Sequence, residues 1–439
     1  MKRPSAGIAG PIARIVWIAL MAGLAGAVAG GCVFVPPIAS RVHAAPAETT
    51  ERQLRVFQDL WDTVNERYIY SDFNGVDWPA ARVEMTLRIR AGLTDDAFYA
   101  LMRDLVERLG DQHSKFLAPD EVAEEEQEYA GTSEFVGIGI VTDFNPDAER
   151  FYVLQVLPGS PAEEAGVRPH DHILKANGAP LVDASGEPDL SLLRGPEGTV
   201  VTVTVRTPGQ PARDLAIERR LLSSSEPVEY RLLQEKPRIG YILVPTFFQD
   251  GIDEQVRDAL CALMRSAGPV QRLDGLVIDM RINGGGAYDV LVNTLGLFTS
   301  GTLGYLVDRQ GARLPVRARA ERIGNSQTAP LVVLIGPSTQ SYAEVFAGSL
   351  RHKGRAALIG QRSGGNVETL HAHLFEDGSM VWLAEETFQL PDGATWEGKG
   401  IEPDVKIDRN WDEFTAEDDP AIRAAIERLG EWASERLAR

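Results

Sequence analysis

The sequence predicts a layered α/β core preceded by a β-rich module and a helical segment, and three patterns carry that prediction. From about Ile239 onward, the apolar runs IGYILV, GLVIDM, LVVLIG and AALIG alternate with amphipathic stretches at about 252–266, 287–299 and 342–352. Such alternation of strands and helices builds a layered sheet. Between Gly131 and about Arg220 the runs are short and broken by turns, and VVTVTVRT has a strict period of two, the signature of strands. Ahead of them, Leu54, Phe57, Trp61, Val64 and Tyr68 step by three and four along one helical face.

A chain of 439 residues is too long for one ordinary core, so two or three domains are expected. A composition of 44% hydrophobic and 24% charged residues is globular, and a net charge of -19 argues against a nucleic-acid partner. Two cysteines, Cys32 and Cys261, give no disulfide framework. Residues 1–45 place Lys2, Arg3 and Arg14 before an apolar stretch from Ile15 to Ala39, closed by Arg41. This reads as a secretory signal, with a cleavage site at Val42-His43-Ala44, or as a retained membrane anchor. Ala-Gly-Gly-Cys32 resembles a lipoprotein site but has Ala29 where a larger aliphatic residue is usual. Each fate exports the remainder to a bacterial periplasm or cell envelope, with membrane contact only through this segment.

Residues 50–128 form the helical segment. Helices are expected at Trp78–Ile89 and from Asp95 to Leu109, with Thr94 as cap and Gly110 as stop. The polar loop LGDQHSKFLAPDEV follows and holds His113, and the acidic run Glu121 to Glu128 reads as a solvated helix face. Residues 129–222 form the β-rich module, in the order strand, strand, short helix, strand, helix, strand. The short helix is Pro161 to Gly166, with a glycine stop. A linker, SSSEPVEY, leads to the core at 225–410, and 411–439 is expected to be an exposed amphipathic helical tail.

The strand Leu331 to Ile335 ends at Gly336-Pro337, and Ser341 opens a helix with Val345, Phe346, Ser349 and Leu350 on one face. A hydroxyl at a helix N-terminus sits among free N–H groups and the positive end of the dipole, which suits a nucleophile whose product is an oxyanion. The same residues also spell a capping box, Ser341-x-x-Glu344, in which the hydroxyl only serves its helix. The segment by itself leaves both open.

Two resemblances bear on this choice. The β-rich module resembles a PDZ domain: LPGSPAEEAGV and DHILKANG match its best-marked stretches, and Phe135-Val136-Gly137-Ile138-Gly139-Ile140 resembles its carboxylate-binding loop. In such a loop, backbone N–H groups hold a terminal carboxylate while the peptide adds as a strand. A β-rich scaffold without a ligand is the alternative. Residues 50–410 resemble the S41 family of C-terminal processing, or tail-specific, serine proteases, through LGDQHSKFLAPDE, GLVIDMRINGGGAYDVLVNTLGLF, STQSYAEVFAGSLRHKGRAALIG and GKGIEPDV. The implied fold is an α/β protease core of the ClpP/crotonase-like layered kind with an inserted PDZ domain.

The family resemblance puts Ser341 at the nucleophile position. Many members carry a lysine base 25 positions beyond the serine, where this chain has Asn366, in Ser363-Gly-Gly-Asn366. An amide cannot take the proton, and Lys353 is too near along the same helix. One explanation is a catalytically inactive peptide-binding scaffold or regulator. The other is a different base, as in the tricorn-like Ser-His-Glu arrangement, which falls on His113 and Glu397. His371, His373 and Glu402 are competing candidates. An oxyanion hole would pair the N–H of Gly285 or Gly286 with that of Tyr342. Asp279 and Arg281 read as a structural pair. Metal-ligand spacing and phosphate-loop motifs are missing, so no cofactor is expected. The expected function is an exported serine endopeptidase acting on protein substrates whose C-terminal tails the PDZ domain binds.

Overall fold

Three strands written as continuous apolar runs, Gly275–Asp279, Leu331–Ile335 and Ala357–Gly360, are buried along their whole length. They lie inside a six-stranded sheet that runs Glu229–Glu235, Arg238–Leu243, Gly275–Asp279, Leu331–Ile335, Ala357–Gly360, Val405–Lys406. The first pair is antiparallel and the others are parallel. A parallel sheet needs cover on both faces. Leu276, Ile278, Leu331 and Val333 face a cluster with Val256, Leu260, Leu291, Leu295 and Phe346, which come from the helices Ile252–Ser266, Tyr288–Gly296 and Tyr342–His352. Val277, Val332, Leu334 and Ile359 face Ala421, Ile422, Ala425 and Leu429 of the helix Pro420–Leu437. That helix is therefore not the exposed tail expected from the sequence; its apolar stripe closes the second face.

The computed structural model describes residues 46–111, 113–145, 150–182, 189–266 and 272–437. The signal or anchor segment and Cys32 lie outside them. No helix among the described residues is long and apolar enough to cross a membrane. The chain divides into two compact units. The larger holds residues 123–369 and 386–439, and the smaller holds the helical segment up to Val122 together with Leu370–Glu385.

The β-rich module belongs to the larger unit. Its main sheet runs Ile140–Asn145, Arg150–Val156, His172–Ala176, Val200–Arg206, Arg213–Glu218, so Ile140–Asn145 is an edge strand among the described residues. A separate pair joins Glu134–Gly137 to Arg220–Ser223. Where the sequence pattern gives a second helix, the described residues hold a single turn, Ser191–Leu193. The module is tied to the segment before the last helix. His170 Nδ1 donates to the Trp411 carbonyl at 2.7 Å, and its ring stacks on Trp411 at 4.2 Å. His172 Nε2 meets the Asp412 carbonyl at 2.7 Å, and Arg150 pairs with the Asp412 carboxylate at 2.6 Å.

In the smaller unit, the helices Ala47–Arg67, Trp78–Arg90 and Asp95–Glu107 pack around Phe57, Leu60, Met85, Phe98 and Met102. Thr94 caps the third, its hydroxyl accepting from Ala97 N–H at 3.3 Å. The strand Lys115–Leu117 pairs antiparallel with Met380–Trp382.

Candidate active site

Ser341 stands between the buried strand Leu331–Ile335 and the helix Tyr342–His352, whose first nine residues are all buried. The turn between them is fixed by Thr339, whose hydroxyl donates to the Met280 carbonyl at 2.8 Å and accepts from Gly336 N–H at 2.9 Å. Ser341 takes φ 52° and ψ -128° and makes no side-chain cap bond. Of the two readings the segment leaves open, the capping box is not formed: with this left-handed backbone the hydroxyl makes no bond to its own helix. For a residue with a Cβ this conformation is costly and is held only where the surroundings demand it.

The glycine turn after the strand Gly275–Asp279 supplies part of that demand. Asn283 is wholly buried and organises it. Its Nδ2 donates to the Val244 carbonyl at 3.1 Å, its Oδ1 accepts from Gly285 N–H at 2.8 Å, and its carbonyl accepts from Gln340 N–H at 3.1 Å. A Cβ on Gly285 would fall 2.6 Å from the Ser341 Cβ and 3.0 Å from the Tyr342 nitrogen. A Cβ on Gly286 would overlap the Phe247 carbonyl carbon at 2.0 Å. Both positions therefore require glycine. The Gly285 N–H is committed to Asn283, whereas the N–H groups of Gly286 and Tyr342 have no partner among the described residues.

Asn366, at the position of the family lysine, accepts from Ser341 N–H at 2.6 Å through its carbonyl. Its own N–H donates to Glu344 Oε2 at 2.8 Å. Glu344 is fully buried, and its Oε1 accepts from Ser363 Oγ at 2.5 Å and Gly365 N–H at 2.9 Å. Burial is the largest influence on this carboxyl and pushes its pKa up to about 7 against the pull of three donors. Glu344 thus anchors the 363–366 loop to the nucleophile helix. Glu397 Oε2 accepts from Val367 N–H at 2.7 Å, beside the same loop, and Gly398 N–H donates to the Gly365 carbonyl at 2.7 Å.

The larger unit therefore gathers Ser341, Tyr342, Gly285, Gly286, Asn366 and Glu397 into one hydrogen-bonded neighbourhood. Glu402 is an exposed residue paired at 3.5 Å with Arg362. Asp279 and Arg281 form a buried ion pair at 2.6 Å, extended by Asp419 at 2.6 Å and by the Tyr241 hydroxyl at 2.8 Å, as a structural pair should. His113, His371 and His373 belong to the smaller unit. There His113 follows Asp111, whose Oδ1 accepts its N–H at 2.9 Å, and His373 Nε2 meets Glu385 Oε1 at 2.5 Å.

In the β-rich module, Phe135, Val136 and Gly137 are strand residues paired with Leu222, Leu221 and Arg220. Ile138 and Gly139 then cross to the edge strand. Their carbonyls accept from Ala162 at 2.9 Å and Leu157 at 3.0 Å, while their N–H groups have no partner among the described residues. Gly139 holds φ 85°, and a Cβ there would strike Ser160 Cβ at 2.3 Å. The bond from Leu157 to Gly139 makes Ile140 and Val156 a non-hydrogen-bonded pair, so the Ile140 N–H points off the open edge. Farther along that edge, Asp143 Oδ2 accepts from Ser338 Oγ at 3.1 Å, three residues before Ser341.

Sequence comparison matches residues 51–107 to the tricorn protease C1 domain, 152–207 to a PDZ domain and 238–407 to peptidase family S41. The carboxyl-terminal-processing protease of a Synechocystis species is 29% identical over 87% of this chain and 87% of its own length. That of a Picosynechococcus species is 30% identical over 80% of this chain and 78% of its own. The solved photosystem II D1 C-terminal processing protease superposes with a TM-score of 0.59 and 29% identity, over 81% of this chain and 93% of that one. With this likeness along most of its length and the layered core and PDZ fold already described, the chain belongs to peptidase family S41, the carboxyl-terminal-processing proteases, and is a serine-type peptidase.

Proposed function

We propose that the protein is an exported endopeptidase that cleaves protein substrates held by their C-terminal tails, with Ser341 as nucleophile, His113 as general base and Glu397 as the carboxylate that orients the imidazole. The observation that carries this reading is the strained, uncapped Ser341 beside two N–H groups, of Gly286 and Tyr342, that have no partner among the described residues. As Ser341 Oγ bonds to the scissile carbonyl carbon, its proton passes to the imidazole, and the carbonyl oxygen becomes an oxyanion held by those two N–H groups. Gly285, whose N–H serves Asn283, positions the turn. Collapse breaks the C–N bond, and the imidazolium gives its proton to the departing amine. A water deprotonated by the same base then releases the acyl chain.

Asn366 favours a histidine over a lysine base, since its amide cannot accept a proton and its N–H and carbonyl are already committed to Glu344 and Ser341. Tail binding is supported by the loop around Gly139 and by the open strand Ile140–Asn145, along which a peptide can add. Export rests on the basic and apolar pattern of residues 1–45, and cell fractionation tests it: recovery wholly in the cytosol would remove it. The mechanism is tested by hydrolysis of an unfolded protein such as casein. Ser341→Ala should lower the rate at least about 10⁴-fold, and His113→Ala nearly as much. Unchanged cleavage by either variant removes that residue from the mechanism.

A further inference from the structure

A cation with no carboxylate partner among the described residues lies beside the loop proposed to bind tails. The Arg194 guanidinium sits 5.4 Å over the Phe135 ring. The edge of that ring lies against Gly137, where a Cβ would come within 3.0 Å of it. Gly137 leads straight into Ile138, Gly139 and Ile140. One aromatic ring thus separates the guanidinium from the chain whose Ile138 and Gly139 N–H groups have no partner among the described residues.

The neighbouring arginines are spent elsewhere. Arg219 is buried and donates to the carbonyls of Leu192 at 2.9 Å and Leu193 at 3.2 Å, and to Thr199 Oγ1 at 3.0 Å. Those bonds pin the turn Ser191–Leu193, which delivers Arg194 to its place. Arg220 pairs with Glu164 at 2.8 Å. Arg194 alone of the three is exposed and has no carboxylate partner among the described residues. An aromatic face holds a cation without neutralising it, so the full charge stays available to an arriving anion. In a chain with a net charge of -19, a fixed positive charge at this loop works against the prevailing field.

We propose that Arg194 is a second anchor for the terminal carboxylate of a bound substrate tail, adding a full positive charge to the partial charges of the Ile138, Gly139 and Ile140 N–H groups. The inference rests on the tail-binding reading of this module. Its chemistry distinguishes a free acid from an amide: the backbone groups can bond either, whereas a guanidinium attracts only the charged form.

The test uses the full chain carrying Ser341→Ala, so that ligand is not consumed, with and without Arg194→Gln. The probes are a short fluorescein-labelled peptide ending in Leu-Ala with a free carboxylate, and the same peptide as its C-terminal amide. Anisotropy titration at low salt should show tighter binding of the acid, and Arg194→Gln should shrink the acid-over-amide ratio about three- to tenfold. Arg194→Lys should restore part of it, and high salt should erase the difference between variants. An unchanged ratio, or equal weakening of acid and amide, would overturn the role of Arg194 while leaving tail binding intact. If the parent protein binds acid and amide alike, or neither, the tail-binding reading itself fails, and the role of Arg194 with it.

Discussion

Replacing Ser341 with glycine should leave the protein more stable than replacing it with alanine, the reverse of the order inside a helix. Ser341 holds φ 52° and ψ -128°, which costs a residue bearing a Cβ about 1–3 kcal/mol. Alanine keeps that strain and glycine releases it. Two effects oppose the gain. Glycine widens the unfolded ensemble by about 0.4–1 kcal/mol. It also gives up the Cβ that packs on Gly285, worth about 0.5 kcal/mol as part of a methylene. Central values leave about 1 kcal/mol in favour of glycine. Both variants lack the nucleophile, so self-cleavage cannot distort the comparison. Urea unfolding with equal m values should therefore place the glycine midpoint above the alanine one. Alanine equal to or above glycine would mean that the backbone at 341 stores no strain.

Glu344→Gln must set an NH₂ against at least one of the donors from Ser363, Gly365 and Asn366; kcat should fall about 10- to 100-fold, while relief of a buried charge keeps the melting temperature nearly constant. Because its folded pKa is raised to about 7, the folded chain holds the extra proton between about 4.5 and 7, so Glu344 makes stability decline as pH rises through that window, and the variant should lose this slope. His170 acts in the opposite sense: burial lowers its pKa to about 4, and the unfolded imidazole titrates near 6.5. Stability should thus fall by about 2 kcal/mol more in the parent than in His170→Asn between pH 7 and pH 4.5, measured by urea titration at each pH. In a His113→Ala background, Asn366→Lys should restore measurable hydrolysis above about pH 8, where a lysine amine begins to deprotonate; no rescue at any pH would show that position 366 no longer reaches the hydroxyl.

The core strands are legible because a parallel sheet covered on both faces must be written as continuous apolar runs, and Leu331–Ile335 is one. Serine at the head of the following helix is legible for the same reason: its place is set by local order along the chain. The hydroxyl's freedom is not legible. It depends on a left-handed backbone imposed by Gly285, Asn283 and Asn366, all remote in sequence. Glu344 reads from the sequence as a cap or as support for the site; which of the two holds is not legible, because its partners lie some twenty residues on. The last helix misleads through its charges. Arg423, Glu427, Arg428 and Glu431 suggest an exposed element, but Ala421, Ile422, Ala425 and Leu429 form a stripe that the second sheet face requires.

The account turns on a Ser341 hydroxyl activated by His113, and labelling with a fluorophosphonate probe tests that most directly. Peptide mapping of the parent protein should place the adduct on Ser341, and His113→Ala should label at least about 100-fold more slowly. A parent protein that stays unlabelled, or a His113→Ala variant that reacts at the parent rate, would contradict it.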